Sequence, residues 1–222
     1  MSQAEVVIAP EDAARAARSD ARTRQLLTAA ARLMERSGSH DVSMQAVAEE
    51  AGVSVGLIYR YFGNKQELVQ AVIVGVLDEM ARLIPEALEP EADPVRRIAA
   101  AFAAYCSVVR DNLQAVLLTY RESNTLDEKG RQLIKELEIK TAQPLRSSVQ
   151  DAVDQGLLRA VDVKLYSYNL LVVAHSWALK NWYFAPVVSF EGFVHQQTAL
   201  LLSSAIHPDR RQDYSDLLDG AA

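Results

Sequence analysis

The chain has 222 residues, a formal net charge of −6, and hydrophobic side chains at half of its positions. This length accommodates one large domain or a small domain joined to a larger one. We expect no membrane-spanning helix, because no run of about 18 or more residues is free of charge, and no signal peptide, because the N-terminus lacks a basic start followed by an apolar core. The single cysteine, Cys106, excludes an intramolecular disulfide, fits a reducing cytoplasm and lies in an Ala/Val-rich stretch as a small core residue.

Charge is unevenly distributed along the chain. Between residues 15 and 65, eight Lys and Arg residues stand against five Asp and Glu, which leaves this segment at +3 and the rest of the chain at −9. A basic segment attracts phosphates, whereas an acidic remainder resists lying on nucleic acid. The acidic total therefore does not exclude a DNA-binding protein.

The segment from Ser43 to Lys65 has the spacing of a helix-turn-helix. Ala48 allows two helices to approach closely, Gly52 can take the positive φ of a tight turn, and Ile58 is the inward-facing residue of the second helix. The second helix of such a unit lies in the major groove of DNA. This pattern predicts a DNA-binding protein.

Helical periodicity continues through most of the chain and no stretch alternates with period two, so we predict an all-α fold of about nine helices. A flexible arm (1–19) precedes a three-helix helix-turn-helix domain (20–66), a larger helical domain (67–208) and a frayed tail (209–222). Proline ends the fourth helix and kinks the seventh. The predicted helices run to Ser37-Gly38, from Ser43 to the turn at Gly52, from about Ser54 to Tyr61, from Asn64 to about Ile84 before Pro85, from Pro94 to about Arg110, from Leu113 to Arg121, from Leu126 to Gln155 around Pro144, from Asp162 to Phe184 and from Ser189 to Ile206.

The residues of the predicted recognition helix suit few base contacts. Arg60 carries the only strong donor fork and can read a guanine, Val55 can contact a thymine methyl group, and Gly56 permits close approach. Lys65, beside the free N–H groups of the next helix, can hold a phosphate. Specificity is therefore expected to rest on few base contacts together with DNA shape. The hydroxyl groups suited to phosphate oxygens belong to Ser43, Ser54, Tyr59 and Tyr61.

The run Gly52-Val53-Ser54-x-Gly56-x-x-Tyr59-x-Tyr61-Phe62-x-x-Lys65-x-x-Leu68 resembles the signature of the TetR/AcrR family of bacterial transcriptional regulators. The matched region extends from about Arg22, and Ser43 stands where Thr is commoner. The resemblance implies a dimeric, ligand-responsive repressor in the bacterial cytoplasm, with no cofactor or metal. Its partners would be a palindromic operator duplex and a small-molecule effector that favours the conformer unable to bind adjacent grooves. The resemblance also implies that Ser43, Tyr59 and Lys65 grip the DNA backbone.

The last two long helices suit association of two copies of the chain. Each carries an apolar stripe, and a helix pair from each subunit would form a four-helix interface about a two-fold axis. The alternative is that these stripes form a core within one chain. The residues assigned to the dimer interface are Leu170, Val173, Phe190, Phe193, Val194, Gln197 and Leu201.

An excess of aromatic residues in the larger domain predicts an effector cavity, with Arg121 as a partner for a carboxylate or phosphate. The run 120–123 and the run 175–183 resemble regulators of fatty-acid or steroid catabolism that respond to acyl-CoA thioesters. A multidrug sensor with an aromatic pocket is the alternative, and only Lys180 and Arg121 stand out as partners for CoA phosphates. The residues assigned to the cavity are Phe102, Tyr105, Leu117, Tyr120, Arg121, Tyr166 and Trp177.

Two other classes of protein compete with a regulator. An enzyme finds little support, because the sequence contains no metal-ligand spacing, nucleophile elbow, phosphate-binding loop or dinucleotide fingerprint. A helical protein-binding adaptor would use the N-terminal helices only as scaffold. Salt-dependent binding to a specific duplex separates a regulator from both.

Overall fold

The computed structural model describes residues 21–34, 36 and 42–219. This part of the chain contains eleven α-helices, two 3-10 helices and no β-strand, which confirms the all-α class. The predicted arm (1–19) and the predicted end of the first helix at Ser37-Gly38 lie outside the described residues. The helices are α1 (21–34), α2 (Met44–Ala51), α3 (Val55–Phe62), α4 (Lys65–Leu88), α5 (Pro94–Asp111), α6 (Leu113–Glu122), α7 (Glu128–Asp154), α8 (Val163–Leu179), α9 (Asn181–Phe184), α10 (Phe190–Ala205) and α11 (Ser215–Leu218), with 3-10 helices at Ser123–Thr125 and Pro208–Tyr214.

The chain divides into two compact units, Met1–Val72 and Ile73–Ala222, where the sequence had suggested a boundary at residue 66. In the first unit, α2 packs against α3 around the fully buried side chains of Val47, Ala48 and Ile58. Gly52 ends α2 with φ of 67°, and its N–H group bonds to the carbonyls of Ala48 and Glu49. The helix-turn-helix spacing predicts this left-handed conformation, which glycine adopts without steric cost.

The second unit is built around α5, which packs mainly against α7 and α8. Asp93 caps α5 through its carboxylate, which accepts hydrogen bonds from the N–H groups of Val95 and Arg96, as expected for Asp before Pro at a helix start. Cys106 is fully buried in this helix, and burial raises the pKa of its thiol to about 12. The prediction that Cys106 is a small core residue is confirmed.

Two predicted helix ends are wrong. Pro85 does not end α4, which continues to Leu88; a proline so near a helix end forfeits only one interior hydrogen bond. The helix predicted to run to Phe184 stops instead at Leu179 and is followed by the four-residue α9. This break lets Phe184 fold back onto Trp177, with ring centroids 6.5 Å apart. Neither the continuation of α4 past Pro85 nor the break after Leu179 can be recognised from the hydrophobic periodicity of the sequence.

The prediction of a frayed tail is wrong for residues 209–219. This segment forms the second 3-10 helix and α11, and its Tyr214 is 3% exposed. Arg96 of α5 pairs with Asp216, the nearest nitrogen and oxygen being 2.8 Å apart. The short α9 and α11 account for the difference between nine predicted helices and eleven observed. Among the described residues, no helix is both long and apolar enough to cross a bilayer.

Candidate nucleic-acid interface and ligand cavity

The recognition helix α3 has one buried face and one exposed face. Ile58 and Phe62, one helical turn apart, are buried and fasten α3 to its own unit. On the opposite side Gly56, Tyr59 and Arg60 are exposed, with 52% of Tyr59 accessible. Within the described part of the chain, Arg60 has neither a hydrogen bond nor a salt bridge. Its guanidinium is therefore available to a base edge or a phosphate.

The remaining predicted DNA contacts lie at or near this face. Val55 and Tyr61 are half-buried, at the two ends of the helix, and a Cβ placed on Gly56 would meet nothing within 4 Å. The backbone at Gly56 is therefore open to close approach. Ser54 precedes α3 and makes no capping hydrogen bond with its hydroxyl, which stays exposed.

Two helix starts in the first unit carry Ser43 and Lys65, which the sequence predicts to contact phosphates. The Ser43 hydroxyl caps α2 by accepting from the N–H group of Ala46 at 3.1 Å, so its own proton can still be donated. Lys65 is the first residue of α4. Asn64 accepts from the N–H group of Glu67 at 3.0 Å, and its side-chain amide donates to the Glu67 carboxylate at 2.6 Å. The side chains of Asn64 and Glu67 therefore cap the start of α4 together, with the carboxylate bonded to the Asn64 side chain.

A cavity of about 340 Å³ lies within the second unit, between α4, α6, α7 and α8. Ile73, Leu77 and Met80 of α4 contribute part of its apolar wall, facing Val116 of α6 and Leu171 of α8. An apolar wall with a few polar groups is the usual composition of a small-molecule site.

Several polar groups of the cavity come from α6, α7 and α8. Tyr120 of α6 and His175 of α8 are hydrogen-bonded, with the Tyr120 hydroxyl 2.9 Å from Nδ1 of the ring. Burial lowers the pKa of His175 to about 4, so the imidazole is neutral at physiological pH. Arg131 and Lys135, one turn apart on α7, also line the cavity, together with Glu138, whose pKa is raised by burial.

The structure places only Tyr105 and Tyr120, of the seven predicted ligand residues, on this cavity. Tyr105 is buried, and its hydroxyl donates to the carbonyl of Thr141, which also lines the cavity. The prediction for the remaining five is not supported, because each lies on another face of its helix. Phe102 is core, Leu117 is half-buried, Arg121 is exposed, Tyr166 is buried and bonded to the Leu201 carbonyl at 2.9 Å, and Trp177 packs against Phe184, Phe190 and Phe193.

Sequence reasoning missed the basic groups of the cavity. Lys180 and Arg121, the expected partners for CoA phosphates, do not line it, whereas Arg131 and Lys135 do. The spacing of Arg131, Lys135 and Glu138 along one face of a helix was a signal that could have drawn attention to them.

Two of the seven residues predicted for the dimer interface are buried, and the other five are half-buried. Leu170 and Phe193 are 1% and 2% exposed and belong to the core of one chain, which corrects their assignment. The buried neighbours of Leu170 at helical spacing show that this stripe is the inner face of α8. Val173, Phe190, Val194, Gln197 and Leu201 are half-buried. The exposed apolar side chains of α8 and α10 are instead Leu165, Tyr168, Val172 and Leu200.

Comparison with known proteins identifies relatives of both units. Residues 26–72 match the family model of bacterial regulatory proteins of the tetR family, and residues 91–185 match a tetracyclin repressor-like C-terminal domain. The HTH-type transcriptional regulator HbdR of Aromatoleum sp. (strain CIB) is 35% identical over 181 residues, which cover 82% of this chain and 79% of that protein.

Two solved structures show the same fold. AibR in complex with isovaleryl coenzyme A and operator DNA has a TM-score of 0.69 at 24% identity, covering 82% of this chain and 97% of the other. FadR from Bacillus subtilis in complex with stearoyl-CoA has a TM-score of 0.66 at 20% identity, covering 83% and 99%. Among the described residues, no cluster of side chains suits a metal ion.

Proposed function

Because the chain belongs to the TetR family of bacterial regulatory proteins, we propose that it is a cytoplasmic repressor, released from a palindromic operator by an acyl-CoA. The family consists of transcriptional regulators that bind DNA, which excludes the alternative that the chain is an enzyme.

For DNA, α3 enters the major groove with Arg60 as its base-reading residue. Gly56 allows the backbone to approach, and Val55 lies beside it for a thymine methyl group. The hydroxyls and the ammonium group around α3 fix its register on the phosphates. These positioning residues are Ser43, Ser54, Tyr59, Tyr61 and Lys65.

For dimerisation, we assign the outward faces of α8 and α10 to a two-fold interface. Leu165 of α8 and Leu200 of α10 are 62% and 64% exposed, and neither lines the effector cavity. Exposed apolar side chains on neighbouring helices mark association surfaces. A dimer presents two recognition helices to successive major-groove faces, about 34–36 Å apart.

For the effector, the cavity with Arg131 and Lys135 on its wall is the observation that carries the proposal. An apolar interior accepts an acyl group. Lys135 and Arg131, whose guanidinium also bonds to the Glu128 carboxylate at 2.6 Å and to the Leu126 carbonyl, can bind the phosphates of coenzyme A. The ligands of AibR and FadR support this class. A multidrug sensor would use the aromatic side chains Tyr105, Tyr120 and Tyr168 without needing these cations, so the cations favour the thioester.

Selection of duplexes from a random pool by the purified protein, with and without acyl-CoAs and aromatic drugs, tests the proposal. Recovery of a palindrome that is lost when one acyl-CoA is added supports it. A palindrome released only by aromatic drugs would replace it with the multidrug reading. No enriched duplex at all would favour the adaptor.

Replacing Arg131 and Lys135 together by Ala sharpens the effector test. We expect weaker binding of acyl-CoA and of free coenzyme A alike, because the phosphates lose both cations. Replacing Lys129 and Lys140, exposed on the same helix outside the cavity, removes equal charge and serves as the matched control. Equal losses in both double variants would attribute the effect to net charge alone.

A further inference from the structure

The Tyr120–His175 pair is the polar feature of the cavity that the binding of coenzyme A leaves unexplained. The two rings meet edge to face, with centroids 5.8 Å apart and planes at 85°. They belong to α6 and α8, and both line the cavity. Among the described residues, Tyr120 is the one hydrogen-bond partner of the His175 ring and uses Nδ1. The Nε2 atom therefore remains for a further partner.

The pair can both donate and accept while carrying no charge. If Nε2 holds the proton, the tyrosine hydroxyl donates to Nδ1 and its oxygen can accept from a ligand. If Nδ1 holds the proton, it donates to the tyrosine oxygen, whose own proton is then offered to a ligand. Since burial keeps the imidazole neutral down to a pKa of about 4, the pair provides no cation for a carboxylate. It matches a neutral oxygen function.

The size of the cavity limits the group that reaches this pair. Ligand pockets span roughly 300–1,000 Å³, and the cavity, at about 340 Å³, lies at the lower end. A short or single-ring acyl group fits this volume, so the adenosine of coenzyme A has to lie outside, with its phosphates near the exposed Lys135 of the cavity wall. Ser123 and Thr119, whose hydroxyl donates to the Ala115 carbonyl but can still accept, also line the cavity. These hydroxyls favour a ligand that is not a plain hydrocarbon chain.

Resting on the proposed acyl-CoA effector, we propose that its acyl group is small and carries a hydroxyl or ketone oxygen that hydrogen-bonds to the Tyr120–His175 pair. This oxygen distinguishes the effector from unsubstituted acyl-CoAs of the same size. The pair then has a recognition role in addition to joining α6 to α8.

Calorimetric titration with matched thioesters tests this inference. The probes are butyryl-CoA with 3-hydroxybutyryl-CoA, benzoyl-CoA with 4-hydroxybenzoyl-CoA, and stearoyl-CoA as the size control. In one pair or both, we expect the oxygenated member to bind the unmodified protein about tenfold more tightly, the usual effect of one added hydrogen bond. Stearoyl-CoA is expected to bind more weakly than that oxygenated member.

The variant Tyr120→Phe removes one hydroxyl and keeps the ring. It should abolish the preference for the oxygenated member, whereas Tyr183→Phe, at an exposed tyrosine outside the cavity, should retain it. A merely structural role for the pair predicts equal losses for both members of a probe pair, and that result would overturn the inference. Preference for stearoyl-CoA, or discrimination that survives Tyr120→Phe, would also overturn it. Absence of binding by all five thioesters would overturn the proposed effector class and this inference together.

Discussion

The hydroxyl of Tyr214 donates a 2.8 Å hydrogen bond to the carboxylate of Asp93, more than a hundred residues earlier in the chain. The other oxygen of the same carboxylate caps α5. One acidic side chain therefore holds both a helix start and the C-terminal segment. Burial and the bond to Asp93 together raise the pKa of Tyr214 to about 12.

Tyr214→Phe should lower the free energy of unfolding of the second unit by about 1.5 kcal/mol, because a buried hydrogen bond to a charged acceptor is lost. Urea unfolding measures this difference. Tyr183→Phe, at a tyrosine that is 53% exposed, is the control and should change little. If both variants unfold at the same urea concentration as the unmodified protein, the tail does not stabilise the unit.

Lys65→Ala should weaken binding to all duplexes to a similar degree and reduce the salt dependence by roughly one phosphate contact. The reason is that Lys65, at the start of α4, provides charge without reading a base. Operator affinity as a function of salt concentration gives the slope. Lys140→Ala removes the same charge from an exposed site in the second unit and should leave the slope as it was. Unchanged affinity of the Lys65 variant at low salt would remove this residue from the interface.

Arg60→Ala should relax sequence preference at one base pair in each half-site, with a loss of about 1–3 kcal/mol on the preferred sequence. The exposed guanidinium of Arg60 is the only forked donor on the outward face of α3. Affinities for operators mutated one position at a time locate the affected pair. A uniform loss across all of these operators would show that Arg60 contacts only the backbone.

Acid should destabilise the second unit through His175. The unfolded histidine binds a proton near pH 6.5, whereas the folded one stays neutral down to about pH 4. The stabilisation is therefore complete above pH 6.5 and is lost as the pH falls through 4, by roughly 3 kcal/mol at most.

Thermal unfolding of His175→Gln between pH 7 and 4.5 measures this contribution, since glutamine does not titrate. The variant should lose less stability over this range than the unmodified protein. Glu138, whose pKa is raised by burial, has the opposite slope and is present in both proteins, so it cancels in the comparison. Parallel pH profiles would show that His175 is protonated equally in the folded and unfolded states.

Leu200→Arg should weaken dimerisation at least tenfold, because it places a charge on the apolar face assigned to the two-fold contact. Sedimentation equilibrium gives the dissociation constant. Ile139→Arg introduces the same charge at a site on α7 that is 66% exposed and should leave the dimer intact. A Leu200 variant as dimeric as the Ile139 variant would place the interface elsewhere.

The sequence by itself determined those turns and helix starts that depend only on residues close together in the chain. The turn at Gly52 needs a positive φ, the starts at Ser43 and Asp93 need a short side chain that accepts backbone N–H groups, and α3 needs a buried Ile58. Each of these requirements involves residues a few positions apart. Fold class and the DNA-binding unit follow from such patterns.

Only the tertiary structure decided which side of each long helix faces a partner. Tyr120 and Arg121 are neighbours in the chain and both are exposed, but helix packing places only Tyr120 on the wall of the cavity. The apolar stripe of α8 predicts that Leu170 lies in an interface, but its side chain is core, because neighbouring helices cover that stripe. The hydrogen bond from Tyr214 to Asp93 likewise depends on packing between segments far apart in the chain. Apolar periodicity specifies that a helix has a buried face, whereas the contacts between distant segments decide what covers it.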